Sequence, residues 1–264
     1  MIRRISKVAR QLHRAPEVLR CMSVTPQWWQ LTCAYVGVSK LKYPFELRLR
    51  SGMRLSFADF YDVTTFWQIY VHVTYAVNPN DRVIIDAGAN IGSFSLYALA
   101  TAPGARVVAI EPFPSTFDRL RQLLDSQGKG RATVINCALR GKPGTVVMDP
   151  PEIPTQMRRV LLDEAPGQTS VPAETLEMVL RKCSLDSIDF MKMDIEGSEY
   201  DTLLSASPDV LRHIKRISLE YHPLSSGEPY SKEQLFDHLR RCGFLVTGEE
   251  IHKHGYGIGH FQQA

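Results

Sequence analysis

Three features are missing from the sequence, and each absence argues against a class of protein. No run of 18 apolar residues occurs, so we predict no transmembrane helix. The first residues lack the continuous apolar stretch and the small-residue cleavage site of a secretory signal. The five cysteines are scattered without a C-x-x-C pair, which argues against a disulfide framework or a zinc site and favours a reducing cytoplasm.

What is present is the composition of a globular protein with an uneven charge distribution. The chain has 264 residues and is 44% hydrophobic and 22% charged, which fits one large domain or a domain with an extension. Residues 1–54 contain 11 lysines and arginines against two acids, a net charge of +9, while the remainder has a net charge of −6. We therefore predict a basic, aromatic-rich leader over residues 1–80 that packs on a main domain over residues 81–264.

The first twenty residues place apolar side chains at helical spacing with arginines between them. This pattern predicts a short amphipathic helix that ends before Pro16. Its basic face favours an anionic membrane surface as partner, with the protein peripheral at that membrane, and a merely solvated helical face is the alternative. We expect no nucleic-acid partner. Seven aromatic residues later in the leader are expected to pack in a core against the main domain, with a substrate-lining role as the alternative: Phe57, Phe60, Tyr61, Phe66, Trp67, Tyr70 and Tyr75.

From Arg82 onward, short apolar runs alternate with amphipathic stretches. The apolar runs show no period-two alternation, which is typical of strands buried on both faces of a parallel sheet. The predicted strands are Val83–Ile85, Arg106–Ile110, Thr133–Ile135, Ile188–Met193 and Ile214–Leu219, followed by a terminal hairpin of Phe244–Val246 and Tyr256–Phe261. The predicted helices are Phe94–Thr101, Ser115–Ser126, Ala173–Lys182, Ser198–Ser205 and Lys232–Arg241. This alternation predicts an α/β fold with a doubly wound sheet. A small extra strand is expected after a turn at Gly141–Gly144, and a proline-rich surface excursion at Asp149–Gly167.

One strand-turn-helix segment, VIIDAGANIGSFSLYALA over residues 83–100, carries the strongest chemical signal. Gly88 and Gly92 allow close approach of the backbone to a ligand, and the following helix presents unpaired N–H groups. The dinucleotide fingerprint G-x-G-x-x-G is not matched, because Asn90 stands two residues after Gly88. Asp86 ends the strand, where an acid repels phosphate and attracts an ammonium group. The segment therefore favours S-adenosylmethionine over NAD, with Asp86, Gly88, Asn90 and Gly92 as binding residues.

The next two strands end in residues that suit the remainder of this cofactor. Glu111 follows the second strand, where a carboxylate can accept hydrogen bonds from two ribose hydroxyls. Asn136 and Ala138 follow the third strand, where the adenine ring is expected. We predict all three as cofactor-binding residues.

Five ordered motifs resemble the FkbM family of S-adenosylmethionine-dependent methyltransferases. They are DAGANIGSFSLYA, AIEPFPSTFDRL, NCALRGKPGTVVM, FMKMDIEGSEYDTLL and LEYHP, within residues 81–222. The resemblance implies a class I methyltransferase (Rossmann-like) fold, with a seven-stranded sheet whose last strand is antiparallel. It also implies methyl transfer, most often to a hydroxyl oxygen, with a sugar, lipid or small metabolite as acceptor. By that likeness Asp86, Gly88 and Gly92 fall on the methionine-binding loop and Glu111 on the ribose position.

Three acids follow the buried strand FMKM: Asp194, Glu196 and Glu199. Such a strand end faces the crevice of an open α/β sheet, and burial with mutual repulsion should raise at least one pKa towards that of a general base. We predict Asp194 and Glu196 as catalytic residues. Glu199 stays open, because an acid at the start of a helix also stabilises its positive end. The three carboxylates also suit Mg²⁺, although no metal ligand is assigned.

The motif LEYHP places Glu220 and His222 at the same edge of the sheet. With a pKa near its ordinary value of about 6.5, His222 is predicted to take the proton of an acceptor hydroxyl, and Asp194 is the alternative base. Lys192 is interpreted as the charge partner that keeps Asp194 ionised. Two other functions stay open: a nicotinamide-dependent oxidoreductase, which leaves Asp86 unexplained, and a non-catalytic membrane-associated binding protein, which needs none of these acids.

Overall fold

A computed structural model describes residues 14–148, 160–161, 170–223, 229–252 and 255–264. By its internal contacts the chain divides into two compact units, residues 1–76 and 77–264. The predicted boundary after residue 80 and the predicted packing of the leader on the main domain stay predictions. Within the described residues, no helix combines the length and the apolar character that crossing a membrane requires.

The described part of the first unit contains helices and one antiparallel hairpin. The helices are α1 (Ala15–Val24), α2 (Trp28–Tyr35) and α3 (Phe60–Phe66), and α3 continues into a π-helix over Trp67–His72. The hairpin pairs β1 (Phe45–Arg48) with β2 (Arg54–Phe57). Phe57, Phe66, Trp67, Tyr70 and Tyr75 are buried, whereas Phe60 and Tyr61 are exposed. Burial of five of these seven rings agrees with the prediction of a core.

The described residues do not test the predicted helix that ends before Pro16, but they contain a helix that includes this proline. Helix α1 begins at Ala15, and Pro16 lies in its first turn. Proline is tolerated there, because the first N–H groups of a helix have no partner within the helix. The predicted amphipathic stretch before Arg14 lies outside the described residues.

The second unit contains eleven described strands. In chain order they are β3 (Val83–Ala87), β4 (Arg106–Ile110), β5 (Ala132–Ile135), β6 (Ala138–Leu139), β7 (Gly144–Met148), β8 (Val160–Leu161), β9 (Ser170–Glu174), β10 (Phe190–Met193), β11 (Arg216–Tyr221), β12 (Phe244–Ile251) and β13 (Gly257–Gln263). Seven of them form the main sheet, in the order β12-β13-β11-β10-β3-β4-β5. Strands β3, β4, β5, β10 and β11 are parallel, and β13 is antiparallel to both of its neighbours. The predicted doubly wound sheet with an antiparallel last strand is confirmed.

The described helices of the second unit lie between these strands. They are α4 (Ser93–Thr101), α5 (Pro114–Gln127), α6 (Leu176–Lys182), α7 (Glu199–Ser205), α8 (Pro208–Arg212) and α9 (Lys232–Arg241). Apolar side chains of the sheet, including Ile85, Met191 and Ile217, are fully buried in a core that α6, α7 and α9 also enter. The strands thus meet the sequence expectation of burial on both faces.

The prediction of a single helix over Ala173–Lys182 is wrong at its start. Residues Ser170–Glu174 form β9, which pairs with β6 and β7, and the helix begins only after Thr175. The Thr175 hydroxyl accepts a hydrogen bond from the Met178 N–H and so caps α6. The order β6-β9-β7-β8 makes a second small sheet, in which β7 is the predicted extra strand after Gly144. Apart from β8, the predicted excursion at residues 149–167 lies outside the described residues.

Candidate active site

The carboxyl ends of four neighbouring parallel strands bring most of the predicted site residues to one edge of the sheet. Asp86 lies in β3, and Glu111, Asp194 and His222 follow β4, β10 and β11. Ligands of open α/β sheets bind at this edge. The edge therefore has the position of a binding crevice.

The loop after β3 favours glycine at two positions, at Gly88 by close packing against backbone and at Gly92 by its positive φ. Gly88 has φ +75°, and a Cβ atom there would stand 1.7 Å from the backbone oxygen of Asp194. Gly92 has φ +89°, and a Cβ atom there would stand 2.8 Å from the Leu120 side chain. The N–H groups of Gly88 and Ala89 both donate to the Ile110 carbonyl, which fixes the loop against β4. The loop is thus held on two sides by backbone contacts.

A buried ion pair lies under this loop. Asp86 is fully buried, accepts a hydrogen bond from the Ser95 hydroxyl at 2.6 Å, and has its Oδ1 3.4 Å from Lys192 Nζ. Lys192 donates to the carbonyls of Gly88 (2.7 Å) and Ala87 (3.2 Å), while Asp194 Oδ2 lies 3.8 Å away. Burial lowers the pKa of Lys192, but Asp86 and Asp194 outweigh it, and the pKa lies above its ordinary value. Lys192 is therefore bound more closely to the β3 loop than to Asp194, its interpreted partner.

Glu111 joins the β3 loop to the loop after β4. Its carboxylate accepts hydrogen bonds from the N–H of Asn90 at 2.9 Å and of Phe113 at 3.0 Å. Burial raises the pKa of Glu111 to about 7, although these two hydrogen bonds and Lys192 oppose the rise. Each carboxylate oxygen accepts one of these backbone bonds and retains a second lone pair for ligand hydroxyls.

One buried oxygen of the loop, Asn90 Oδ1, lacks a hydrogen-bond donor within the described structure, and Asp86 Oδ1 contacts Lys192 Nζ at the long distance of 3.4 Å. A buried acceptor without a donor costs about 1–3 kcal/mol, so the Asn90 oxygen calls for a donor from a ligand. The amino and hydroxyl groups of S-adenosylmethionine are donors of this kind. The residues present therefore fit this cofactor, with Asp86, Gly88, Asn90, Gly92 and Glu111 in the positions predicted for its binding.

The two residues predicted at the adenine position have structural partners. The Asn136 side-chain amide donates to the carbonyls of Glu111 and Pro112, both at 2.8 Å, and so supports the loop that carries Glu111. Ala138 begins β6 and is buried in a small cluster with Phe113 and Val171. Their contact with a cofactor stays a prediction.

The residues after β10 and β11 form a buried acidic cluster around one imidazole. His222 Nδ1 lies 2.9 Å from Glu199 Oε1, and its Nε2 lies 3.4 Å from Glu196 Oε2 and 3.8 Å from Glu220 Oε1. Glu199 is fully buried and also accepts hydrogen bonds from two backbone N–H groups. The edge thus brings Glu196 and His222 together with two acids that the sequence left without a role.

These neighbours change the protonation of the cluster. Burial lowers the pKa of His222, but Glu199 and then Asp194 and Glu196 outweigh it and raise the pKa to about 10. The expectation of an ordinary pKa near 6.5 for His222 is therefore wrong, and at neutral pH the ring is an imidazolium. Burial and then repulsion by Asp194 raise the pKa of Glu196 to about 8, the direction predicted for one acid of this set.

The donor set does not suit Mg²⁺. The donor atoms of Asp194, Glu220 and His222 lie within 4.8 Å of one another. Mg²⁺ prefers oxygen ligands, and a protonated imidazole has no lone pair to offer a metal. In the predicted trio of acids, Glu199 already accepts hydrogen bonds at both oxygens. We assign no metal ligands here.

Sequence reasoning missed Ser95 and did not decide on Glu199. Ser95 lies in the apolar helix α4, and no feature of the sequence distinguishes its hydroxyl from one that packs in a core. Glu199 stands three residues after Glu196 at a helix start, a spacing equally typical of a simple cap. Only the fold brings its carboxylate to His222, 23 residues away.

The sheet order, with β13 antiparallel to both of its neighbours, is that of the class I methyltransferase fold. A family model described as the methyltransferase FkbM domain matches residues 86–246. The chain belongs to the FkbM methyltransferase family. This membership supports S-adenosylmethionine as the cofactor and does not support the nicotinamide-dependent alternative.

Three relatives show how far the similarity extends. The AMB antimetabolite synthetase AmbE of Pseudomonas aeruginosa is 28% identical over 250 residues, 76% of this chain but only 12% of its own length. The 31-O-demethyl-FK506 methyltransferase FkbM of Streptomyces tacrolimicus is 26% identical over 214 residues, 69% of this chain and 79% of its own. The hexuronic acid methyltransferase AglP of Haloferax volcanii is 25% identical over 142 residues, 54% of this chain and 56% of its own.

Proposed function

We propose that this chain transfers a methyl group from S-adenosylmethionine to a hydroxyl oxygen of a sugar or another small molecule. The observation that carries the proposal is the cluster of the partly buried Glu196 with the buried Glu199 and His222, at the same sheet edge as the glycine loop. An oxygen acceptor must lose its hydroxyl proton, and such a cluster can receive one. The names of two relatives, a 31-O-demethyl-FK506 methyltransferase and a hexuronic acid methyltransferase, support a small hydroxyl-bearing acceptor.

When bound, S-adenosylmethionine would supply a methyl group on a positively charged sulfur, and this charge makes the methyl carbon electrophilic toward an oxygen nucleophile. Asp86 and Asn90 would hold the amino-acid end, and Glu111 would hold the ribose. Positioning of the two reactants supplies most of the acceleration in a transfer of this kind. These residues orient the reaction without themselves reacting.

Glu196 is the acid best placed to receive the hydroxyl proton in this proposal. Its raised pKa, about 8, lies near neutral pH, where the ionised fraction of Glu196 can act as a general base. The His222 ring, with Nε2 3.4 Å from Glu196 Oε2, stabilises that ionised form when it carries its positive charge. Asp194, partly exposed and 3.8 Å from Lys192, contributes negative charge and the alternative base.

Binding of S-adenosylhomocysteine tests the cofactor part of the proposal. We expect saturable binding in a calorimetric titration, and Glu111→Gln should weaken it roughly 10- to 100-fold, because hydrogen bonds to a charged acceptor are lost. Glu177→Gln, at an exposed position of α6, is the matched control and should bind like the wild type. Equal affinity in Glu111→Gln and Glu177→Gln would remove Glu111 from the cofactor site.

The acceptor class requires its own experiment. Hydroxyl-bearing sugars, uronic acids and small metabolites should be screened with isotope-labelled S-adenosylmethionine, and product should carry the label on oxygen. Label on nitrogen or carbon would contradict the proposed acceptor chemistry while leaving methyl transfer intact.

A lipid acceptor and a membrane partner belong to the same proposal. They are supported by the net charge of +9 in residues 1–54 and by Leu19, which is 65% exposed on α1. All five cysteines are free thiols, which supports the proposed reducing compartment. Full-length protein should sediment with anionic vesicles at low salt, and deletion of residues 1–13 should reduce this binding. Equal sedimentation of the two forms would contradict it.

A further inference from the structure

Glu199 accepts hydrogen bonds on both sides of Glu196 in the chain. Its Oε1 accepts from the Ile195 N–H at 3.0 Å, and its Oε2 accepts from the Gly197 N–H at 2.8 Å. The fully buried carboxylate therefore brackets the backbone of Glu196. A simple helix cap would not need to hold both neighbours of one residue.

The bracketed residue has an unfavourable backbone conformation. Glu196 has φ +53°, in the left-handed region, and Gly197 follows with φ +102°. This region costs a residue with a side chain roughly 1–2 kcal/mol, so it persists only where other contacts compensate. The two hydrogen bonds to Glu199 are the compensating contacts. They hold the chain in a turn at Glu196 where the backbone is not extended.

A second connection runs from Glu199 to Glu196 through the imidazole. His222 Nδ1 lies 2.9 Å from the same Glu199 Oε1, and Nε2 lies 3.4 Å from Glu196 Oε2. The ring is held further by its own backbone, since its carbonyl accepts a hydrogen bond from the Tyr200 hydroxyl at 3.0 Å. Glu199 thus contacts both the backbone around Glu196 and the ring that faces its carboxylate.

We propose that Glu199 is a positioning residue that holds the backbone around Glu196 and the His222 ring in place, with that ring as the cation between the Glu196 and Glu199 carboxylates. The proposal rests on the proposed function, in which Glu196 receives the acceptor proton. The charged groups that face His222 are Glu199 from α7, Glu196 and Asp194 from the loop after β10, and Glu220 from β11. Among them only Glu199 is within hydrogen-bond distance of Nδ1.

Side-chain NMR of the full chain with ¹⁵N-labelled histidine tests this without an acceptor. His222→Gln identifies the His222 signals. In the wild type, both ring nitrogens of His222 should show the shifts of an imidazolium from pH 6 to pH 8. In Glu199→Gln, the ring should lose its proton within that range, because the amide carries no charge. A neutral His222 ring in the wild type at pH 7 would overturn the proposal, whether or not the variant folds.

Glu220→Gln distinguishes the effect of the hydrogen bond at His222 Nδ1 from the effect of a nearby negative charge. It removes one negative charge 3.8 Å from Nε2 and leaves the hydrogen bond at Nδ1 in place. We expect the His222 ring to stay protonated to a higher pH in Glu220→Gln than in Glu199→Gln. The same midpoint in the two variants would show that charge alone acts and would overturn the positioning role.

Binding of S-adenosylhomocysteine distinguishes failure of the positioning role of Glu199 from failure of the proposed function. Glu199→Gln should bind S-adenosylhomocysteine within about twofold of the wild type, because none of its contacts involves the β3 loop or Glu111. Once an acceptor is known, the kcat of Glu199→Gln should be lower than that of the wild type, with little change in the KM for S-adenosylmethionine. Absence of binding in the wild type itself would contradict the cofactor site and not the arrangement around Glu199.

Discussion

Single residues of the site are constrained by contacts to backbone atoms more than by contacts to other side chains. Gly88 faces the Asp194 carbonyl, Lys192 donates to the Ala87 and Gly88 carbonyls, and Glu111 accepts from two backbone N–H groups. Every residue type has the same backbone atoms. A residue that contacts the site only through its backbone can therefore be of any type, whereas the site residue itself cannot. This is the physical reason why short motifs identify the site.

Gly88→Ala tests the tightest of these contacts. The added Cβ would meet the Asp194 carbonyl at 1.7 Å, so the loop must move, and we expect loss of S-adenosylhomocysteine binding together with a fall in the free energy of unfolding. Gly130→Ala is a matched control, because Gly130 has a similar φ of +72° but no atom within 4 Å of the added Cβ. It should show only the conformational cost, about 1–2 kcal/mol, and full binding. Normal binding by Gly88→Ala in calorimetry would contradict the described loop geometry.

At the scale of elements, the ion pair of Asp86 and Lys192 joins β3 to β10. The two residues are directly opposite in the parallel register of these strands. Both are buried, so each charge depends on the other. The pair therefore links the cofactor loop to the strand that carries the acidic cluster.

Lys192→Met should destabilise the fold by about 3–5 kcal/mol, because it leaves the Asp86 carboxylate buried without its cation. Adding Asp86→Asn should recover part of this loss. Urea unfolding of the wild type, both single variants and the double variant gives the coupling energy. Losses that simply add in the double variant would show that the two side chains do not interact.

The elements with a clear local pattern could be predicted from the sequence. Strand β4, with its apolar run, and helix α9, with its helical periodicity, have the predicted bounds. The β3 loop was identified from Asp86, Gly88 and Gly92. It failed at β9, because Ser170–Glu174 lies in a small sheet and has no apolar run to mark it. The protonation of His222 could not be predicted either, since Glu199 reaches it only through the fold. Local sequence patterns indicate which strands are buried, but they do not indicate which distant residues come into contact.

For the whole molecule, several buried groups hold their protons to higher pH than they would in the unfolded chain. The pKa is raised to about 10 in His222, to about 8 in Glu196 and to about 7 in Glu111. In each case the folded state binds more protons than the unfolded state over the interval between the two pKa values. The free energy of unfolding must then fall as pH rises through those intervals.

We expect stability to fall between about pH 6.5 and pH 10, because the contribution of His222 is complete below its unfolded pKa of about 6.5 and is lost as the pH rises to its folded pKa. His222 alone limits the slope to about 1.4 kcal/mol per pH unit, and Glu196 adds to the slope below about pH 8. Urea unfolding at several pH values measures it, and His222→Gln should flatten the curve. A wild-type stability that does not fall over this range would contradict the raised pKa of His222.

The position of β13 also bears on how the chain is made. Strand β13 lies between β11 and β12, which do not pair with each other, and Phe261 stands opposite both Ile217 and Val246. During synthesis from the amino end, the free edge of β11 therefore stays without its neighbour until about forty further residues have been added. At about 5–20 residues per second this lasts a few seconds. In that interval the nascent chain exposes an edge of β11 that another strand can occupy.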